Sequence, residues 1–392
     1  MKTISSGPRV IAAVLSLILL TVCCSPGGSA VMRATAESTA AADMSVESDQ
    51  WVEERLAELT LEEKISQLFF IVPDILTGTP VLEPDNLQDA IGQYPVGGFL
   101  IAGSNIQSER QLKTLIEGLK EAVVAEVGLM PFIGIDEEGG FVRRLGNSGL
   151  AVPAVPAMSF MRDADDAYEA GLTIGSYLSG YGFNVDFAPV LDVLVNPLNL
   201  VIGSRSFGED AAVVSELGLA FIDGLHVNRI AATAKHFPGH GATAGDTHMG
   251  AAVSSRSAEA IRETELVPFI RAIDAGVEFI MVGHMSIPSL TGSDVPTSLS
   301  GDVITGLLRT ELGYDGLVIT DALNMQAITD YYTAGEAAIL TLEAGCDILL
   351  APSDLAGAFA GVLAAVQDGT LEEARIDQSV RRILALKWYL SD

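Results

Sequence analysis

Eight short apolar runs, most of them separated by amphipathic stretches, constrain the fold of this chain more than any other feature. They are Gln67–Val72, Gly97–Ala102, Phe132–Ile135, Val185–Ala188, Ile230–Ala234, Phe279–Val282, Leu317–Thr320 and Asp347–Leu350. Helical patterns such as Glu109–Val127 and Ala258–Ala275 lie between them, and Thr60-Leu61-Glu62-Glu63 is a capping box that opens a helix. Continuous apolar strands joined by helical crossovers predict a parallel sheet buried on both faces. Eight repeats over roughly 340 residues suit a closed barrel better than an open sheet. A doubly wound sheet would also want a glycine-rich phosphate-binding turn after the first run, and none stands there. The expectation is therefore an α/β fold, a single (β/α)8 TIM-like barrel over residues 51–392, with no second domain.

A barrel of this kind carries its chemistry at the C-terminal ends of the strands. Here those ends are polar. The third run leads into Asp136-Glu137-Glu138-Gly139-Gly140, the fourth into Asp186 and Asp192, and the fifth into Lys235-His236-Phe237-Pro238-Gly239-His240-Gly241. The sixth ends in His284 and the seventh in Asp321. Four of the five histidines follow the fifth or sixth run, a clustering that chance placement would rarely produce. Charge also occurs at ordinary strand exits, so no single position is decisive.

Two kinds of chemistry fit these residues. His236, His240, His248 and Asp246 could supply nitrogen and oxygen ligands to a metal, but Pro238 and Gly239 interrupt the helical spacing of His236 and His240, so one helix face cannot present both. The alternative is acid–base and nucleophilic catalysis by carboxylates and imidazoles. Glycoside hydrolysis needs a proton donor for the leaving oxygen and a carboxylate below the anomeric carbon. Asp321, at the end of a rigid strand, suits the nucleophile. Asp246-Thr247-His248 sets a carboxylate two residues from an imidazole that it can orient and whose cation it can support.

The run Lys235–Gly241, followed by Asp246-Thr247-His248, closely resembles the signature of bacterial β-N-acetylglucosaminidases of glycoside hydrolase family 3. The resemblance extends from about Leu59 to the C-terminal helical stretch Arg375–Leu390. It takes in Asp136–Gly140, Phe187-Ala188-Pro189-Val190-Leu191-Asp192-Val193, Val201-Ile202-Gly203-Ser204-Arg205-Ser206-Phe207-Gly208 and Val318-Ile319-Thr320-Asp321. Several long motifs in the right order make it specific.

Carried over position by position, the resemblance implies that Asp321 is the nucleophile of a covalent glycosyl-enzyme. It makes His248 the general acid/base and Asp246 its dyad partner. Asp136, Arg144, Arg205, Lys235 and His236 match residues that grip the sugar, with Asp192 and His284 close by. A buried salt bridge holding a loop is the lesser reading of Arg205, whereas a satisfied core histidine would account for His284 equally well. Asp186 is left a structural role, and His226, in a helical stretch, reads as surface. Gly239, Gly241, Ala242, Ala244 and Gly245 predict a loop that brings His248 into the site when sugar is bound. The chain departs from the family where Phe141 follows the acidic-Gly-Gly motif in place of a frequent arginine, leaving Arg144 to align with the sugar-binding one. Many β-glucosidase members use a carboxylate from a second domain as acid/base, and the histidine dyad agrees with the expected lack of that domain.

The implied activity is a retaining exo-β-N-acetylglucosaminidase, acting on muropeptides or chitooligosaccharides with no metal or organic cofactor. A β-N-acetylglucosamine phosphorylase, a family 3 β-glucosidase and a non-catalytic sugar-binding lipoprotein are the alternatives. Composition narrows the partners. With 51 acidic and 22 basic side chains the formal charge is −29, which leaves no basic footprint for nucleic acid and repels an anionic membrane surface. Lys2 and Arg9 precede the apolar run Val10–Val22, too short for a comfortable membrane span, which reads as an export signal over residues 1–24. Leu20-Thr21-Val22-Cys23 resembles a bacterial lipobox, although Val22 stands where a small residue is usual. Residues 25–50, rich in Ala, Ser and Thr without periodicity, read as a tether. The expectation is an exported monomer, membrane-anchored through an N-terminal lipid or else secreted, acting on a small carbohydrate.

Overall fold

The computed structural model describes residues 46–80, 84–243, 247, 250 and 252–391. The expected signal segment, most of the tether, Asp246 and His248 lie outside the described residues. All eight expected strands form: β1 (Phe69–Ile71), β2 (Gly98–Leu100), β3 (Phe132–Ile135), β4 (Val185–Asp186), β5 (Ala231–Phe237), β6 (Phe279–Val282), β7 (Leu317–Thr320) and β8 (Leu349–Leu350). They pair in parallel in the order β7-β6-β5-β4-β3-β2-β1-β8. The two ends of that order meet, because Ile319 bridges Ile348 in parallel and Thr320 N donates to the Ile348 carbonyl at 3.1 Å. The sheet is thus a nearly closed barrel, consistent with a (β/α)8 fold.

Aromatic rings fill the barrel interior. Phe70 packs 5.2 Å from Phe187, and Phe132 meets Phe279 edge-on at 5.5 Å. Two glycines make room for Phe70. A Cβ at Gly98 or Gly134 would lie 2.7 or 2.8 Å from its ring, closer than packed carbons approach. The helix Glu109–Val127 has the bounds its sequence predicts. Ser108 Oγ accepts from Gln111 N, Gly128 ends it in the left-handed region, and Leu112, Leu115, Ile116, Leu119 and Val123 form its buried face. The Thr60 box also forms, with Glu63 N donating to Thr60 Oγ1 and Thr60 N to Glu63 Oε2.

Two expected boundaries change. The stretch Ala258–Ala275 is two helices, Ala258–Glu263 and Leu266–Asp274. Pro268 has no N–H for a continuous helix, but in the first turn of a new one that loss is harmless. The first described helix, Val46–Glu58, starts within the stretch read as tether. Trp51 on that helix lies 5.0 Å from Trp388 on the C-terminal helix Glu373–Ser391, contact that periodicity in residues 25–50 could not signal.

Candidate active site

The C-terminal ends of β3 and β5 bring together an alternating set of charges. Lys235, at the end of β5, is buried and donates to Asp136 Oδ1 at 2.9 Å, and its Nζ lies 2.7 Å from Glu138 Oε1. Arg205 donates from Nε and Nη2 to the two oxygens of Glu138, both at 2.8 Å. Arg144 Nη2 reaches Asp136 Oδ2 at 3.5 Å. Burial opposes the charge on Glu138, but Arg205 and Lys235 outweigh it and hold the carboxyl well below the usual carboxylate range. Lys235 is likewise raised, because Asp136 and Glu138 outweigh its desolvation. A buried pair is stable only when its remaining donors and acceptors are met, and here each ion has two counter-ions or a bidentate partner. Asp136 keeps 24% of its side chain exposed and Arg144 keeps 42%, so this end of the network is open to a ligand. Arg205 does form a buried salt bridge, as its sequence context allowed, and its partner Glu138 is a residue that motif reading left without a role.

A second layer lies behind the first. Asp192 is fully buried and accepts from His236 Nδ1 at 2.7 Å, from His236 N at 3.2 Å and from His240 N at 2.6 Å. Burial raises its pKa, but the charge and hydrogen bond of His236, with those of His240, outweigh burial and lower it overall. With His236 Nδ1 spent on Asp192, Nε2 faces Arg205 Nη2 at 3.4 Å. Asp192 therefore holds and orients His236, and its own carboxylate is buried among these partners. His240 stacks edge-on against His236 at 6.0 Å, with its Nδ1 3.0 Å from Thr243 Oγ1.

Asp321 follows β7. Its backbone N donates to the Val282 carbonyl at 2.9 Å, and its Oδ1 accepts from Ala322 N at 2.8 Å. Burial opposes its charge, but His236, His284, the Ala322 amide and Lys235 outweigh burial and hold the pKa down at about 2. The carboxylate is thus ionised at any ordinary working pH, as a nucleophile must be. His284 has both ring nitrogens engaged, Nδ1 with Ser298 Oγ at 2.7 Å and Nε2 with the Ala322 carbonyl at 3.0 Å. It steadies the turn after Asp321 from the protein side.

Asp186, left a structural role by its sequence, forms a carboxyl pair beneath this layer with Glu137, to which motif reading gave no role. Glu137 N donates to Asp186 Oδ1 at 3.0 Å, while the Glu137 carboxyl accepts from Tyr177 Oη and Leu145 N. Burial pushes Glu137 up to about 7 and Asp186 well above its usual value. Because Leu145 follows Arg144, Glu137 helps fix the turn that carries Arg144. His226 corrects its expected surface role. It is half-buried, with Nε2 3.0 Å from the carboxylate of buried Glu278, because the end of helix Ala211–His226 abuts the residue before β6. Phe141, the departure from the family pattern, points outward and is 61% exposed.

Asp246 and His248, the expected acid/base dyad, lie outside the described residues. Thr247 between them is described and buried, and its carbonyl accepts from Ala327 N at 3.4 Å, six residues beyond Asp321.

Comparison with known proteins identifies the family of the chain. The profile of the Glycosyl hydrolase family 3 N terminal domain matches residues 60–386. Beta-hexosaminidase A of Pseudoalteromonas piscicida is 34% identical over 330 residues, 78% of this chain, and the match spans about half of that relative, 55% of its length. Beta-hexosaminidase LpqI of Mycobacterium tuberculosis is 32% identical over 397 residues, 97% of each chain. Among solved structures, a glycoside hydrolase family 3 β-N-acetylglucosaminidase from Paenibacillus sp. superposes with a TM-score of 0.79 at 38% identity, over 85% of this chain and 63% of that one. The profile match takes in all eight barrel strands and each charged strand end described above, and the chain belongs to glycosyl hydrolase family 3.

Proposed function

We propose that the protein is a β-hexosaminidase, specifically a retaining exo-β-N-acetylglucosaminidase that removes non-reducing terminal N-acetylglucosamine from muropeptides or chitooligosaccharides. The observation that carries this reading is Asp321, an ionised carboxylate at a strand end, with Lys235 and His236 nearby and Asp136, Glu138 and Arg205 in the same charge network. Asp136 and Arg144 offer hydrogen bonds to sugar hydroxyls from the open end of that network. Lys235, Arg205 and His236 complete the grip, while Asp192 and His284 hold His236 and the Asp321 turn in place. The relatives named β-hexosaminidase support the sugar class.

Asp321 attacks the anomeric carbon as His248 protonates the leaving oxygen, giving a covalent glycosyl-enzyme and the free aglycone. Neutral His248 then takes a proton from water, whose oxygen attacks the anomeric carbon and releases Asp321 and the β-sugar. Imidazole, with an ordinary pKa near ~6.5, can serve both steps, and Asp246 supports its cation. The Ala327–Thr247 hydrogen bond supports this assignment, because it joins the chain between the dyad members to the short helix Gln326–Thr329 that follows Asp321. Residues 1–24 act as an export signal, with lipidation near Cys23 or Cys24.

The test is release of 4-nitrophenol from 4-nitrophenyl β-N-acetylglucosaminide, with and without phosphate and chelator, followed by labelling with a mechanism-based fluorosugar. Chelator-resistant hydrolysis with label on Asp321 is expected. Label on another residue would remove Asp321 from its role. Acceleration by phosphate, with sugar 1-phosphate as product, would make the protein a phosphorylase. His248→Ala should spare substrates with good leaving groups and slow those with poor ones.

A further inference from the structure

Five large apolar side chains among the described residues are more than 60% exposed: Phe141, Phe160, Leu198, Leu200 and Tyr331. All five lie on the connecting segments that follow the C-terminal ends of β3, β4 and β7, the face that carries the charged network. Scattered exposed leucines need no explanation, but large apolar groups that all fall on the polar face of a barrel do. Leu198 and Leu200 are the most exposed, at 83% and 87%, and their exposure is built in. Asn199 between them is buried. Its Oδ1 accepts from Val201 N and Ile202 N, and its Nδ2 donates to the His240 carbonyl at 2.8 Å. Asn196 caps the same turn, accepting from Leu198 N at 3.0 Å, while its own N donates to the Gly241 carbonyl and its Nδ2 to that of Thr243, both at 3.0 Å. With Asn199 clamped inward, its two neighbours are turned out as a fixed pair.

We infer that Leu198 and Leu200 form an apolar lip that binds the leaving group of the substrate and selects aglycones with an aliphatic face. The inference rests on the acid/base role proposed above for His248. A general acid must touch the glycosidic oxygen, so the aglycone lies against the segment that carries the acid, and the lip is hydrogen-bonded to the start of that segment at Gly241 and Thr243. The branched side chains of leucine present no aromatic face for a bare sugar ring to stack on, and they suit an alkyl substituent better. Because the clamp already holds the turn, little ordering cost falls on binding.

The test compares ethyl and hexyl β-N-acetylglucosaminides, whose leaving groups have nearly the same acidity, in the full-length protein and in the double variant Leu198→Ser/Leu200→Ser. Partial burial of the longer chain should make the hexyl glycoside better by about tenfold in kcat/KM for the native protein. The serine variant should lose that preference, with kcat/KM for the hexyl glycoside falling to the level of the ethyl one. The variant Leu198→Met/Leu200→Met should keep it, which separates apolar contact from loop damage. Equal kcat/KM for the two glycosides in the native protein, or an undiminished preference in the serine variant, would overturn the lip. So would leucine-dependent cosedimentation with phosphatidylcholine vesicles alongside an undiminished preference, which would make the pair a membrane contact. Absence of turnover of either glycoside by the native protein would instead overturn the acetylglucosaminidase reading, and the lip with it.

Discussion

Each end of the barrel holds a buried ionic cluster, and the two clusters are built differently. At the C-terminal ends of the strands, Asp136, Glu138, Arg205 and Lys235 form a network whose outer members, Asp136 and Arg144, remain partly exposed. At the N-terminal ends, Asp347 is fully buried and spends its carboxylate inside the protein. It pairs with Arg309, accepts from Arg382 at 3.2 Å and from Ser379 Oγ at 2.7 Å, and takes Val318 N at 3.0 Å. The helix Glu373–Ser391 covers that end and contributes buried Lys387, which donates to Gln67 Oε1 at 2.7 Å. Charge and burial alone therefore do not mark an active site. What separates the two ends is whether the network is completed by the protein or left open.

That contrast can be broken by substitution. Asp321→Asn should lower kcat by at least about 10^3-fold while leaving thermal stability nearly unchanged, since the amide keeps the volume but loses the nucleophile. A mild loss of turnover would remove Asp321 from the chemistry. Asp347→Asn should do the reverse. It leaves Arg309 facing no anion and Arg382 with Asp315 alone, and a denaturant midpoint should report a loss of about 3 kcal/mol with turnover per folded molecule intact. Reduced kcat/KM at full stability would mean that the lower cluster also serves the reaction.

Two subtler effects sharpen the comparison through pH. Glu137 keeps its proton up to about 7 in the folded protein, whereas an ordinary glutamate sheds it near 4.5. The folded state then binds more protons than the unfolded chain across that window, so this group makes stability fall as pH rises from 4.5 to 7. Glu137→Gln should flatten that fall by roughly 2 kcal/mol in melts compared at pH 5 and pH 7.5. An unaltered slope would assign the proton elsewhere. Lys387 behaves oppositely, since burial lowers it from 10.5 to about 7. The unfolded chain takes up its proton first, so stability contributed by this site rises as pH climbs from 7 to 10.5. Lys387→Met should remove that rise. At pH 7 it should shift stability by no more than about 1.5 kcal/mol, because the relief of desolvation is offset by the orphaned Gln67 oxygen. A steeper rise in the variant would contradict the buried-amine account.

The sequence by itself determined the barrel and the residue types at its rim. Apolar runs bounded by helical patterns located all eight strands, because a strand buried on both faces has to be continuously apolar. The same logic located Asp136, Lys235, His236 and Asp321, since a polar residue just past such a run leaves the core at the strand end. Tertiary structure alone decided how those charges are partnered. Glu138 meets Arg205 across 67 positions of chain, and Asp192 meets His236 across 44. No local periodicity reports pairings of that span. His226 looked exposed because a helix end carries no record of Glu278, and Glu137 looked like one more acidic residue because its raised pKa comes from burial. Local pattern fixes which groups leave the core, whereas charge state depends on neighbours and solvent, and only folding supplies both.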